Sequence, residues 1–189
     1  MGFHDPDWRL PGAQARLALE GVTLEVVSDP GPVVVRYAAR AVVIDDAGRT
    51  LLFRAQVPGP AGRFIWITPG GGMNPGEEAI DCVRRELFEE TGLQDVEIGP
   101  WVWRRDHTFR WGEGMLRQVE SYFVVRTPPF EVNTENHEEL ERGFLTAYRW
   151  FSLEELAAHP ETLVPGNFAE LLAPLLEGVF PAEPLAVGV

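Results

Sequence analysis

Of 189 residues, 45% are apolar and 11% aromatic, the make-up of one packed domain rather than of a disordered chain. All 16 basic residues are arginine against 29 acids, and a net charge of −13 would repel a nucleic-acid polymer, whose binding draws on phosphate neutralisation. Neither apolar stretch near the ends reaches the roughly 18 residues of a membrane span, and the early acids with Pro6 do not suit a signal peptide. A single cysteine cannot form an internal disulfide, so the expected setting is the reducing cytoplasm.

In chain order, residues 1–32 form an N-terminal extension with one short strand at 22–27, ended by Asp29-Pro30-Gly31-Pro32. Residues 33–44 are β-branched and apolar apart from Arg36 and Arg40, which predicts a central strand. Asp45-Asp46-Ala47-Gly48 is a turn that folds residues 50–54 back as a hairpin. Another strand is expected at 64–67, then the loop Pro69-Gly70-Gly71-Gly72 and a helix from about 77 to 91. Glu77 and Glu78 suit the positive start of that helix, and Gly92 its end. Two long strands follow at 96–106 and 116–125, joined by a turn near 111–114, and a last strand at 147–151. Ser152-Leu153-Glu154-Glu155 matches a capping box opening a helix to about 158. A final helix is expected at 167–176, with Pro174 weakening its last turn. Strands and helices mixed in this way predict an α/β chain with a mixed central sheet.

The chemistry concentrates after the glycine loop. From Gly71 the chain runs five residues to Glu77, seven more, then Arg85-Glu86-Leu87-Phe88-Glu89-Glu90-Thr91-Gly92-Leu93. Glu86, Glu89 and Glu90 stand at i, i+3 and i+4, so three carboxylates share one helix face. Such a cluster repels itself unless water or a cation compensates it, and hard cations such as Mg²⁺ take oxygen ligands. An isolated Glu-x-x-Glu-Glu is ordinarily a solvated surface; here the glycine loop, Arg85 and Gly92 accompany it. Ile80, Val83 and Leu87 form the stripe expected to seat the helix on the sheet. Glycines at 70, 71 and 72 let backbone approach a metal or a phosphate oxygen.

The spacing matches the box of the Nudix hydrolase family (MutT-like), Gly-x5-Glu-x7-Arg-Glu-U-x-Glu-Glu-x-Gly-U with U aliphatic, at every fixed position. Trp66 and the run from Arg149 to Leu156 also resemble this family, and the resemblance spans residues 33–158; residues 159–189 are expected to pack on the same domain as helix and tail. It implies a Nudix-type α/β/α sandwich and a pyrophosphohydrolase that cleaves a diphosphate linkage in a small, nucleotide-type substrate. It implies Mg²⁺ or Mn²⁺ held by Glu86, Glu89, Glu90 and the Gly71 carbonyl. Arg85 would orient one of the acids, and Glu77, Gly70 and Gly72 would support the site. Two departures, Asn74 and Thr68, fall outside the fixed positions.

Beyond the box, the acidic stretch 133–142 offers Glu139 as the first candidate for an additional acid or base, with Glu138 behind it. Arg104 and Arg117 are candidate phosphate clamps, with surface solvation the commoner use of such residues. Trp103, alternating with Trp101 on one strand face, is a candidate for stacking on a base, with core packing as the commoner use. Cys82 is assigned to packing, and the four histidines show no metal-ligand spacing. A homodimer using residues 1–32 is compatible with the sequence. Two alternatives stay open: a non-catalytic Nudix-like nucleotide-binding or regulatory domain, and a Nudix-fold isomerase. The isomerase needs a cysteine away from the box, where this chain has none.

Overall fold

The computed structural model describes residues 33–57, 62–111, 114–133 and 145–188. The expected strand at 22–27 and the acidic segment around Glu139 lie outside the described residues. Among the described residues the organising element is β1 (Val33–Asp45), and its two edges are used differently. Along one edge it pairs in parallel with β6 (Gly114–Thr127), from Val33↔Met115 to Asp45↔Thr127. Along the other it pairs with β2 (Thr50–Gln56) only at the hairpin end, Ile44↔Thr50.

That early parting leaves backbone groups of β1 in need of partners, because buried amides and carbonyls must be hydrogen-bonded. The glycine segment supplies them. β4 (Gly70–Gly72) runs antiparallel against Ala38, Ala39 and Arg40, and Ala41 N donates to Pro69 O at 2.8 Å. Gly70 has φ of +129°, and a Cβ there would stand 2.2 Å from Ala39 O, so only glycine fits. The expected glycine loop is therefore a short strand wedged into the sheet.

β2 diverges to pair antiparallel with β3 (Phe64–Ile67) and with β7 (Leu145–Phe151). β3 pairs in parallel with β8 (Thr162–Val164). On the far side β6 forms a long antiparallel hairpin with β5 (Ile98–Trp111), which pairs in parallel with β9 (Leu185–Val187). The main path is β8-β3-β2-β1-β6-β5-β9, a mixed sheet with helices on both faces, as expected.

On one face α1 (Ala79–Thr91) seats Cys82, Val83 and Leu87 against Ala39, Ala41, Val43 and Phe123. It ends at Gly92, whose φ of +74° lets its N–H return to Phe88 O. Ile80, expected in the buried stripe, is exposed; Cys82 takes that place, because the helix starts at Ala79 and turns its small thiol toward the glycine strand. On the other face lie α2 (Leu153–Ala157), opened by the Ser152/Glu155 capping box, and α3 (Phe168–Leu176). Phe168, Leu172 and Leu175 pack with Val42, Ile44, Trp103 and Tyr122. α3 continues through Pro174 to Leu176.

A bulge in β5 corrects one expectation. Trp101 pairs with Phe123 and Trp103 with Tyr122, so the register slips by one residue. An extra residue on one strand turns the following side chains over. Trp101 stacks on Phe123 on the α1 face, whereas Trp103 packs edge-on to Phe168 on the other. The two indoles do not share a face.

Candidate active site

The box acids sit where α1 passes over β4. Glu86 and Glu90 are 6% and 4% exposed, so these two are no solvated charged stripe, while Glu89 stays partly open at the rim. The side chain of Glu90 accepts from Gly70 N at 2.7 Å. Glu86 lies over Gly71, where a Cβ would come within 2.5 Å of its Oε1; the missing side chain is what lets helix and strand approach. Burial raises the Glu86 carboxyl above its usual range, opposed by Arg85.

Arg85 ties these groups together. Its Nη1 donates to Glu86 at 2.7 Å and Glu89 at 3.0 Å, and its Nη2 to Gly72 O at 2.9 Å. Its Nε and Nη2 bond both oxygens of Glu77 at 2.8 and 3.0 Å, a fork that a lysine could not make. Glu77 also accepts from Asn74 N at 2.7 Å, so it closes the loop before the helix and its carboxyl is held below the usual range by Arg85. Cys82 contacts Gly71 O from beneath at 3.6 Å; burial pushes its thiol up to about 12, which keeps it protonated and non-nucleophilic.

A divalent cation fits this donor set in chemistry. Among the described residues, Glu77, Glu86 and Glu89 gather on Arg85 with Glu90 beside them on Gly70 N, and every candidate donor is a hard oxygen. Because Gly71 has no side chain of its own, its backbone lies close beneath the Glu86 carboxylate. No three His, Cys, Asp or Glu side chains among the described residues form a ready metal cage. Glu86 and Glu89 converge on Arg85 Nη1 instead, so accepting a cation would require that one or both swing off the guanidinium.

A second polar layer, not anticipated from the sequence, lies across the glycine strand. Glu120 is wholly buried and accepts from Arg40 Nε at 3.0 Å, Gln118 Nε2 at 2.7 Å, Tyr122 OH at 3.0 Å and Arg105 Nε. Despite burial, the flanking arginines Arg40 and Arg105 hold its carboxyl down at about 2. Arg40 also donates through Nη1 to Gly70 O at 2.6 Å, so a hydrogen-bonded path runs from Glu120 through Arg40 and Gly70 to Glu90. Arg40, a charge inside a central strand, is the signal that could have found this layer, since buried charges must be paired.

Of the other sequence candidates, Arg104 and Arg117 share Asp106 on the exposed part of β5 and β6. Trp103 is fully buried between Tyr122 and Phe168 and presents no open face to a base. Glu139 falls outside the described residues.

Comparison with known proteins bears on this arrangement. The family model "NUDIX domain" matches residues 34–172, more than half of the chain. A nucleoside triphosphatase, NudI, of Salmonella typhimurium is 33% identical over 97 residues, 50% of this chain and 66% of the relative. An RNA pyrophosphohydrolase of Bartonella clarridgeiae is 56% identical over 34 residues, 18% of this chain and 20% of that protein. The chain thus spans less than two thirds of these relatives' length. Among solved structures, a MutT protein from Methanosarcina mazei aligns with a TM-score of 0.55 at 24% identity, covering 76% of this chain and 94% of that one. The E. coli dihydroneopterin triphosphate pyrophosphohydrolase aligns at 0.56 and 17% identity, covering 75% and 95%; at such identities the likeness concerns the fold. With the family model spanning β1 to α3 and the box acids gathered at the glycine strand, the chain belongs to the Nudix family.

Proposed function

We propose that this protein is a metal-dependent pyrophosphohydrolase that cleaves a diphosphate linkage in a small nucleotide-type substrate by attack of water on phosphorus. The observation that carries the reading is the buried pair Glu86 and Glu90 at a strand of three glycines, where a side chain on Gly71 would collide with Glu86. The names of the relatives, a nucleoside triphosphatase and an RNA pyrophosphohydrolase, support a phosphoanhydride as substrate.

Mg²⁺ or Mn²⁺, held by Glu86, Glu89, Glu90 and the Gly71 carbonyl, would supply Lewis acidity toward the diphosphate and toward the attacking water. Arg85 restrains Glu86 and Glu89 through one nitrogen and is itself braced by Glu77, so the acids are aimed from a rigid helix. Glu90 is fixed by Gly70 N and stays in register with the glycine strand. A box glutamate, or Glu139, accepts the proton of water as its oxygen bonds to phosphorus. The bridging P–O bond then breaks, and the leaving phosphate carries away the electron pair. Arg104 and Arg117 are left with Asp106 and the exposed surface.

The test is a pooled panel of sugar nucleotides, nucleoside di- and triphosphates and dinucleoside polyphosphates, incubated with Mg²⁺ or Mn²⁺ and read for phosphate products. Cation-dependent release from at least one compound is expected, reduced by orders of magnitude in Glu89→Gln and Glu90→Gln with folding intact. Variants as active as the parent at saturating Mg²⁺ would remove the assignment.

A further inference from the structure

Arg40 and Gly70 stand directly opposite each other where β1 meets the glycine strand. Three glycines in a row have the greatest backbone freedom a chain can have, so the strand they form is only as fixed as its partners make it. The ladder to Ala38, Ala39 and Arg40 supplies part of that order. Side chains supply the rest, and they converge on Gly70.

The peptide joining Pro69 to Gly70 is gripped at both ends. Ala41 N donates to Pro69 O at 2.8 Å, and Gly70 N donates to Glu90 at 2.7 Å. The next carbonyl, Gly70 O, accepts from Arg40 Nη1 at 2.6 Å, and the same nitrogen reaches Thr68 O at 3.3 Å. One guanidinium nitrogen therefore spans the carbonyls on either side of Pro69. At Gly70 the N–H is held by a box acid and the C=O by Arg40.

Arg40 is itself anchored. Its Nε donates to Glu120 at 3.0 Å, and Glu120 is wholly buried and fixed further by Arg105, Gln118 and Tyr122. Burial acts against the Arg40 charge, but Glu120, Tyr122 and Glu90 outweigh it, so Glu90 is felt across the glycines. With Nε taken by a rigid carboxylate, Nη1 stays aimed at the glycine strand. Groups one step removed from a metal's ligands set the ligands' position in this way.

We propose that Arg40, seated on Glu120, is a positioning residue for the cation site, fixing Gly70 from the sheet face opposite α1 so that Glu90 and the Gly71 carbonyl keep one relation to each other. This role rests on the hydrolase reading above, and Arg40 acts through Gly70 rather than by contact with a cation. Charge and geometry predict opposite signs here. As a bare positive charge Arg40 would repel a cation, and its removal would tighten binding; as a clamp, its removal loosens binding.

The experiment is titration of Mn²⁺ into the full chain, read from the electron paramagnetic resonance signal of free Mn²⁺, beside the Gly70 amide resonance of the ¹⁵N-labelled chain without cation. Arg40→Met removes the clamp and leaves Glu120 paired with Arg105. Arg40→Lys keeps the charge, but one ammonium cannot serve Glu120 and both carbonyls. Both should bind Mn²⁺ roughly tenfold or more weakly than the parent. In both, the Gly70 proton, drawn downfield by donation to a carboxylate, should move upfield. Either variant, once folded, carries the test. Arg105→Met is the control, because it takes an arginine from Glu120 and leaves Arg40 on Gly70. It should lower the urea midpoint yet keep the parent's Mn²⁺ affinity and Gly70 resonance. Unchanged or tighter binding in the Arg40 variants, an unmoved Gly70 resonance, or an equal loss in Arg105→Met would overturn the role. A parent that binds no Mn²⁺ would overturn it together with the cation reading. Arg40-dependent Mn²⁺ binding with no nucleotide hydrolysed sinks the hydrolase reading alone.

Discussion

Glu120 shows how one side chain can couple a sheet to a site it does not touch. Its carboxyl, ordinarily near 4.5, is held at about 2 by Arg40 and Arg105. A carboxylate depressed in the folded state contributes stability that is complete above its unfolded value and is lost as pH falls through 4.5 toward 2. The contribution is on the order of 3 kcal/mol. Urea midpoints measured between pH 6 and 3 should therefore fall steeply for the parent. They should fall less for Glu120→Gln, which starts from a lower midpoint because two buried arginines lose their counter-charge. Parallel acid limbs would contradict the assignment. Arg85→Lys belongs at the same scale: a single ammonium cannot grip Glu77 and still reach Glu86, Glu89 and Gly72 O. Its kcat is expected to drop roughly 10- to 100-fold with a thermal midpoint near the parent's, checked by kinetics beside calorimetry.

Which residues the sequence disclosed follows from how local their chemistry is. Arg85, Glu86, Glu89 and Glu90 sit within six positions on one helix, so spacing alone places them on one face. Glu120 has its partner Arg40 80 residues away in sequence, and nothing near Val119-Glu120-Ser121 announces an ion pair. Trp103 was legible as an aromatic, but its face was set by a bulge that no alternation pattern encodes.

At the scale of elements, the long strands and all three helices could be read from periodicity, caps and turns. β4, β8 and β9, three residues each, could not, because three residues carry no period. β4 exists because β2 leaves β1 after the hairpin, a property of the sheet rather than of Gly70-Gly71-Gly72 themselves. Gly71→Ala tests that element: its Cβ would fall 2.5 Å from the Glu86 carboxylate and displace it. The half-saturating Mg²⁺ concentration should rise roughly tenfold or more, read from the cation dependence of the rate. An unchanged Mg²⁺ dependence would mean that the closeness of Gly71 to Glu86 has no bearing on the cation. For α3, Phe168 is fully buried against Trp103, and Phe168→Ala should destabilise the fold by about 3–5 kcal/mol in urea unfolding. The cation dependence of the rate should be spared, because α3 lies on the opposite face from the box acids.

For the molecule as a whole, the sheet separates two polar layers, the box acids with Arg85 on the α1 side and Glu120 with Arg40 and Arg105 on the other, with three glycines between them. No described helix is long and apolar enough to cross a membrane. The account depends on one or both of Glu86 and Glu89 swinging off Arg85 far enough to take a cation beside Glu90, which Gly70 N holds in place. Anomalous diffraction from crystals soaked in Mn²⁺ measures this directly. A peak is expected within about 2.0–2.4 Å of oxygens from at least two of those glutamates, close to the Gly71 carbonyl. Density that leaves all three acids on Arg85 and Gly70, with no anomalous signal at saturating Mn²⁺, would contradict it.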